Sequence, residues 1–254
     1  MGIHNRGFAF DLAEVAKRTR RRDVLKWLAG SALLAGCGAD MTGGTCSEIP
    51  EETAGPYPGD GSNGANALAL AGIVRNDIRS SFGSGSKTAA GIPLTIDLTL
   101  TNVNDGCSPL AGYAIYLWHC DIDGNYSLYS SGVTNENYLR GVQETDANGQ
   151  VTFTSIFPAC YSGRWPHIHF EVYPSLAVAT NHSAKIATSQ LALPQATCNE
   201  VFATSGYENS VRNFQQVSLT SDMVFRDGVS SQLAMVTGNV NDGYFASLMF
   251  GITP

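Results

Sequence analysis

The residues best suited to chemistry lie in one run, Cys160-Tyr-Ser-Gly-Arg-Trp-Pro-His-Ile-His-Phe-Glu-Val-Tyr173. Side chains alternate across a β-strand, so His167, His169, Glu171 and Tyr173 project to one face while Ile168, Phe170 and Val172 project to the other, toward a core. Two imidazoles two positions apart on a rigid strand can converge on one metal ion. Neutral imidazole suits iron, copper, nickel or zinc, so His-x-His indicates a metal without naming it; the competing reading is a surface pair that binds nothing. The chain has five histidines, one of them His4 near the start, which leaves only His119 or His182 as a third imidazole. His119 lies opposite Trp118 on its strand and reads as a core or supporting residue, not a ligand. Cys160 would suit copper or zinc, but an exported thiol is more often in a disulfide.

Tyrosine crowds the same region. Tyr161 precedes His167 by six positions, and Tyr126 follows the turn Asp121-Ile-Asp-Gly-Asn125. Phenolate is a hard, strongly donating anion, and a ferric ion lowers the phenol pKa far below its usual value near 10. Two tyrosines and two histidines would suit Fe(III) and hold it in that oxidation state. Taken singly, either tyrosine reads more readily as a packing residue with a satisfied hydroxyl. No Cys-x-x-Cys pair is present, so a zinc ribbon has no support.

Strands must position these groups. Leu94, Ile96, Leu98 and Leu100 alternate with Thr95, Asp97, Thr99 and Thr101, the period of a half-buried strand. Tyr113–Cys120, Val151–Phe157, His167–Tyr173, Lys185–Leu191 and Val217–Phe225 read as further strands, rich in β-branched and aromatic residues. Asn104-Asp-Gly106, Asp123-Gly124, Asn148-Gly149 and Asn241-Asp-Gly243 supply the turns between them. With no long amphipathic period after the first residues, the expected fold is all-β, an antiparallel β-sandwich or a related barrel with irregular loops. A parallel α/β fold is not expected.

Of the 254 residues 15% are charged, with 15 Lys+Arg against 22 Asp+Glu and a net charge of −7, while 43% are hydrophobic. That composition can bury a core and excludes a charge-driven disordered chain. Residues 1–36 hold seven of the basic residues and three of the acidic ones, leaving the remainder at −11. No basic face is left to neutralise phosphates, so nucleic acid is not an expected partner. The basic cluster precedes the uncharged run Trp27–Gly36, too short to span a bilayer as a helix and suited to a signal peptide. Thr19-Arg-Arg-Arg-Asp-Val-Leu-Lys26 is similar to a twin-arginine export signal, and Leu34-Ala-Gly-Cys37 resembles a bacterial lipobox. An exported lipoprotein is therefore expected, periplasmic or at the cell surface, anchored to a membrane through lipid on Cys37. The expected organisation is a signal peptide over 1–36, a flexible tether over 37–50 and one β-sandwich domain over 51–254. In an oxidising compartment Cys46, Cys107, Cys120, Cys160 and Cys198 would give two disulfides and one free thiol, in a pairing the sequence does not specify.

Five landmarks in order resemble the intradiol ring-cleavage dioxygenases, the family of protocatechuate and catechol dioxygenases. They are Glu52-Thr-Ala-Gly-Pro-Tyr57, Tyr116-Leu-Trp-His-Cys-Asp-Ile-Asp-Gly-Asn-Tyr126, Thr145-Asp-Ala-Asn-Gly-Gln-Val-Thr-Phe153, Phe157-Pro-Ala-Cys-Tyr161 and Arg164-Trp-Pro-His-Ile-His169. The resemblance implies a non-haem Fe(III) bound by Tyr126, Tyr161, His167 and His169. It implies a catecholic substrate and O₂, with cleavage between the two hydroxyl-bearing carbons to a cis,cis-muconate type dicarboxylate. Tyr161 would leave the metal and help take up a substrate proton, Arg164 would stabilise negative charge on the ring, and no reductant is needed. The short Tyr161–His167 gap is similar to the secreted branch of the family, and the helical N-terminal dimerisation region of the catechol-type enzymes is missing. Specificity is expected in loops between Gly55 and Ile92 and after Tyr129. A non-catalytic metal-binding or structural β-sandwich lipoprotein is the alternative.

Overall fold

The computed structural model describes residues 46–254; the expected export signal, Cys37 and most of the expected tether lie outside the described residues. Nine strands form two sheets: β1 (Pro93–Asn102), β2 (Ser108–Pro109), β3 (Ala114–Trp118), β4 (Arg140–Glu144), β5 (Gln150–Ile156), β6 (His167–Tyr173), β7 (Ala187–Ala192), β8 (Met235–Asn239) and β9 (Gly243–Ile252). Two short helices, α1 (Gln195–Phe202) and α2 (Glu208–Phe214), follow β7. One sheet runs β2-β1-β9-β8, with β5 also paired to β1, and the other runs β4-β3-β6-β7. Among the described residues no helix is long and apolar enough to cross a membrane.

The alternating apolar set of β1 (Leu94, Ile96, Leu98 and Leu100) is buried between the sheets against Ile168, Phe170 and Val172 of β6. The Phe170 and Phe250 rings lie 4.8 Å apart and tie the two sheets at this point. Strand β6 is buried on both faces. Its second face, with Tyr116 and Trp118 of β3, lies under a second apolar layer that includes Ala67, Leu68, Ile73 and Tyr126. The loop region 51–82 is bound down by bridges from Val74 to Val142 and from Asp77 to Thr154. This roof over β3 and β6 gives the histidine face a dry environment.

The two sheets form the expected β-sandwich, antiparallel except where β1 and β9 pair in parallel, Leu94 beside Tyr244 through Asn102 beside Ile252. Three other expectations are corrected. Val217–Phe225 is not a strand. Its polar side chains satisfy the local backbone: Ser218 Oγ accepts from Ser221 N–H, and Asp222 Oδ1 accepts from Val224 and Phe225 N–H. The strands that complete the sheets are instead β4, β8 and β9. In the β8–β9 turn, Asn239 Oδ1 accepts from the Asn241 and Asp242 N–H groups, and Gly243 takes φ +88°. Finally, one disulfide, Cys46–Cys107, forms among the described residues where two were expected. Cys120, Cys160 and Cys198 are free thiols that pack as small apolar groups, Cys160 and Cys198 in the inter-sheet core and Cys120 in the layer above β3. The Cys46 bond and a bridge from Glu48 to Gly251 fix residues 46–49 against the sheet.

Candidate metal centre

Strand β6 delivers both imidazoles to one point. The Nδ1 of His167 faces the Trp165 carbonyl. A carbonyl only accepts, so Nδ1 carries the proton and the Nε2 lone pair is left to point inward. His167 Nε2 lies 3.1 Å from His169 Nε2 and 3.2 Å from the Tyr161 hydroxyl. His169 is held by stacking on Trp118, its direct cross-strand partner, with ring centroids 4.9 Å apart and planes 6° from parallel.

The two tyrosines arrive on turns. Asp121 Oδ1 accepts from the N–H groups of Asp123 and Asn125 and closes the turn that carries Tyr126, whose own N–H donates to Ser130 Oγ. Tyr161 precedes a turn in which Arg164 N–H returns to the Tyr161 carbonyl. The Tyr126 ring lies 6.0 Å from that of Tyr161 and 6.3 Å from that of His169, both edge-on. All four expected ligands, Tyr126, Tyr161, His167 and His169, therefore come together. His119 does not join them; it sits behind, with Nδ1–H donating to the Cys120 carbonyl and Nε2 on Ser155 Oγ.

This cluster has electrostatics that an ion would reverse. Burial pushes the Tyr126 phenol well above its usual value, with the neighbouring Tyr161 adding to the effect. Burial likewise pushes both imidazoles well below theirs, the Arg164 charge assisting at His167 and His167 itself at His169. The protein alone thus favours the neutral forms of the Tyr126 phenol and of both imidazoles. The Tyr126 hydroxyl and His169 Nδ1 are buried there without a hydrogen-bond partner. An orphaned buried hydroxyl costs about 1–3 kcal/mol. The 3.1 Å between the two Nε2 atoms suits adjacent positions of one coordination sphere. A tightly bound cation would convert the phenols to phenolates and give Tyr126 its missing partner, so the residues present fit a hard, highly charged ion. Among the described residues no three His, Cys, Asp or Glu side chains gather at one point; half of this donor set is tyrosine.

Arg164 stands beside this group as expected, but its surroundings were not read from the sequence. Its Nε donates to Asp222 Oδ2 at 3.0 Å, and its terminal nitrogen donates to Gln190 Oε1 at 2.6 Å. Gln190 lies directly across from His169 in the sheet and donates in turn to the Thr53 carbonyl at 2.8 Å. A Gln within the short strand β7 and an Asp within the strand-like run 217–225 were the available signals, since Asp is depleted in strands and both residues are uncommon in buried cores. An aromatic wall continues from the site through Tyr57, 5.0 Å from the Tyr126 ring and 5.3 Å from that of Tyr129.

A family model described as Dioxygenase matches residues 69–190, a span that contains Tyr126, Tyr161, Arg164, His167 and His169. An intradiol ring-cleavage dioxygenase from Tetranychus urticae is 25% identical, with a TM-score of 0.64 over 82% of this chain and 96% of that one. The match and the fold make the chain similar to the intradiol ring-cleavage dioxygenases. The dioxygenase domain of a dioxygenase carbohydrate-binding protein fusion from Streptomyces sp. SirexAA-E shares the fold, at 21% identity and a TM-score of 0.51 over 82% of this chain and 99% of that one. A chlorocatechol 1,2-dioxygenase from Rhodococcus opacus is 37% identical over 54 residues, which is 21% of this chain and 21% of that protein's length. Within this sandwich the chain places its two histidines on β6 and its two tyrosines on the flanking turns.

Proposed function

We propose that the protein is a non-haem Fe(III) intradiol dioxygenase that inserts O₂ between the two hydroxyl-bearing carbons of a catechol, giving a cis,cis-muconate type product. The observation that carries this reading is the convergence of Tyr126, Tyr161, His167 and His169 in one dry pocket, with the Tyr126 hydroxyl lacking any protein partner. These four side chains would hold the iron, which when bound supplies a Lewis-acidic centre that activates the catecholate toward O₂.

The chain's own groups divide the remaining work. Tyr126 is only 2% exposed and stays a fixed donor, whereas Tyr161 is half-buried and better able to move and accept a substrate proton at its oxygen. His167 is locked in the tautomer that presents Nε2, and Trp118 fixes the plane of His169. Arg164, held by Asp222 and Gln190, is a preoriented cation for charge developing on the ring. The roof of residues 51–82 excludes bulk water from this pocket.

We also assign the chain to the outside of the cytoplasm, exported as its first 36 residues suggest and anchored through lipid on Cys37. The functional reading is tested by the visible spectrum and iron content of the purified protein, with oxygen uptake on catechol, protocatechuate and hydroxyquinol. A burgundy protein that consumes oxygen with one of these supports it. A colourless, iron-free protein after growth with ample iron overturns it, and iron without oxygen uptake favours the non-catalytic lipoprotein.

A further inference from the structure

The sheet that does not carry the site has an unusual outer face. Its strands β1, β2, β5, β8 and β9 contain no Lys or Arg, and Asp97 is their single charged residue. Residues that point away from the core on β1 and β5 are small and polar, among them Thr95, Thr99 and Thr152. On β8 and β9 the outward residues Met235, Phe245 and Met249 are 74%, 44% and 66% exposed. Met235 pairs directly with Ser247, so the three apolar side chains are neighbours on one face.

The described chain begins at this sheet. Glu48 bridges Gly251, two positions beyond Met249 on β9, and Cys46 is fixed by its disulfide to Cys107. Eight residues separate Cys46 from Cys37. A chain of this length reaches about 30 Å at full extension and about half of that as a random coil. The described domain is roughly 40 Å across from its length alone. A lipid on Cys37 therefore brings the Met249 side close to a bilayer before any other side.

Resting on the lipoprotein reading above, we infer that the Met235/Phe245/Met249 face is a membrane-docking surface for a zwitterionic lipid interface. The lack of any basic side chain on the sheet gives it nothing to offer an anionic headgroup layer. Docked in this way, the protein turns the opposite side of the sandwich to solvent. That side is the β6 face with His167 and His169 under the 51–82 roof, so the substrate enters from the aqueous phase, not from the bilayer.

The test uses the full chain as the host processes it, reconstituted in phosphatidylcholine vesicles with brominated acyl chains. Flotation and the mass at Cys37 report the anchor, and tryptophan quenching reports the docked face. Met249→Trp is expected to be quenched about twofold more than Leu70→Trp, which stands on the site side. Adding Met235→Glu and Phe245→Glu to Met249→Trp should abolish that difference while flotation persists. A floating protein in which both reporters are quenched equally overturns the docking surface and leaves the lipoprotein reading intact. A self-associated protein whose Met249→Trp reporter is shielded without bromine quenching assigns the face to a second copy and overturns it as well. An unlipidated chain that does not float overturns both. None of these readouts involves iron or turnover, so they stand apart from the dioxygenase assignment.

Discussion

Arg164 Nε and Asp222 Oδ2 are 3.0 Å apart, and neither side chain has any solvent exposure. Asp222 Oδ2 also accepts from the Trp165 N–H at 2.7 Å, so one carboxylate fixes both the cation and the backbone leading to His167. Asp222→Ala would leave a buried guanidinium without its counter-ion, a loss of about 3–5 kcal/mol. Urea unfolding of the purified protein measures it. A shift below about 1 kcal/mol would show that the pair does not hold this segment.

Tyr126→Phe separates stability from metal binding. Because the hydroxyl has no protein partner, its removal should change the stability of the metal-free protein by less than about 1 kcal/mol, or raise it. Iron content and the tyrosinate absorption band should both fall steeply. Unchanged iron and colour would remove Tyr126 from the ligand set.

His119 provides an acid-sensitive element in the fold. Burial lowers its pKa to about 4, so the folded protein keeps it neutral while the unfolded chain protonates near 6.5. The unfolded state thus binds more protons between those values. The stabilisation is complete above pH 6.5 and is lost as pH falls toward 4, with about 2 kcal/mol gone by pH 5. Denaturant midpoints at pH 7 and pH 5 should show this slope reduced by that amount in His119→Gln. Equal slopes would place the acid sensitivity elsewhere.

The Cys46–Cys107 bond closes a loop with a sequence separation of 61. Chain-entropy arguments give about 4 kcal/mol for a loop of that size. Cys46→Ser with Cys107→Ser should lower the thermal midpoint accordingly while leaving iron binding unchanged, since the bond lies on the far side of the sandwich from β6. Loss of iron along with the disulfide would show that the two ends are coupled.

What was legible in the sequence was what depends on local spacing. The period of two in Leu94–Leu100 and in His167–Tyr173 fixed which side chains face the core, and both strands form with that alternation. The His167/His169 pair was legible from that alternation, whereas Tyr126 and Tyr161 were marked as ligands only through the family resemblance. Asp222 was not, because its partner Arg164 is 58 positions away and no periodicity encodes that distance. The β-branched residues of 217–225 suggested a strand, yet Ser218, Ser221 and Asp222 offered the backbone nearer partners. In β9, Gly243, Ala246, Ser247 and Gly251 dilute the strand signal, and its pairing with β1 depends on register across the whole domain.

That pairing also sets an order of events. Thr101 Oγ1 donates to the Phe250 carbonyl across 149 positions, and β1 lies between β5 on one side and β9 on the other. Until β9 arrives, β1 presents a ten-residue open edge, apolar on one face, to any other chain that offers a strand. Contacts of such separation form late and slowly. Misassembly should therefore begin at β1 while translation or refolding is still under way, and the yield of native protein should depend more on chain concentration during that interval than on the stability of the finished sandwich.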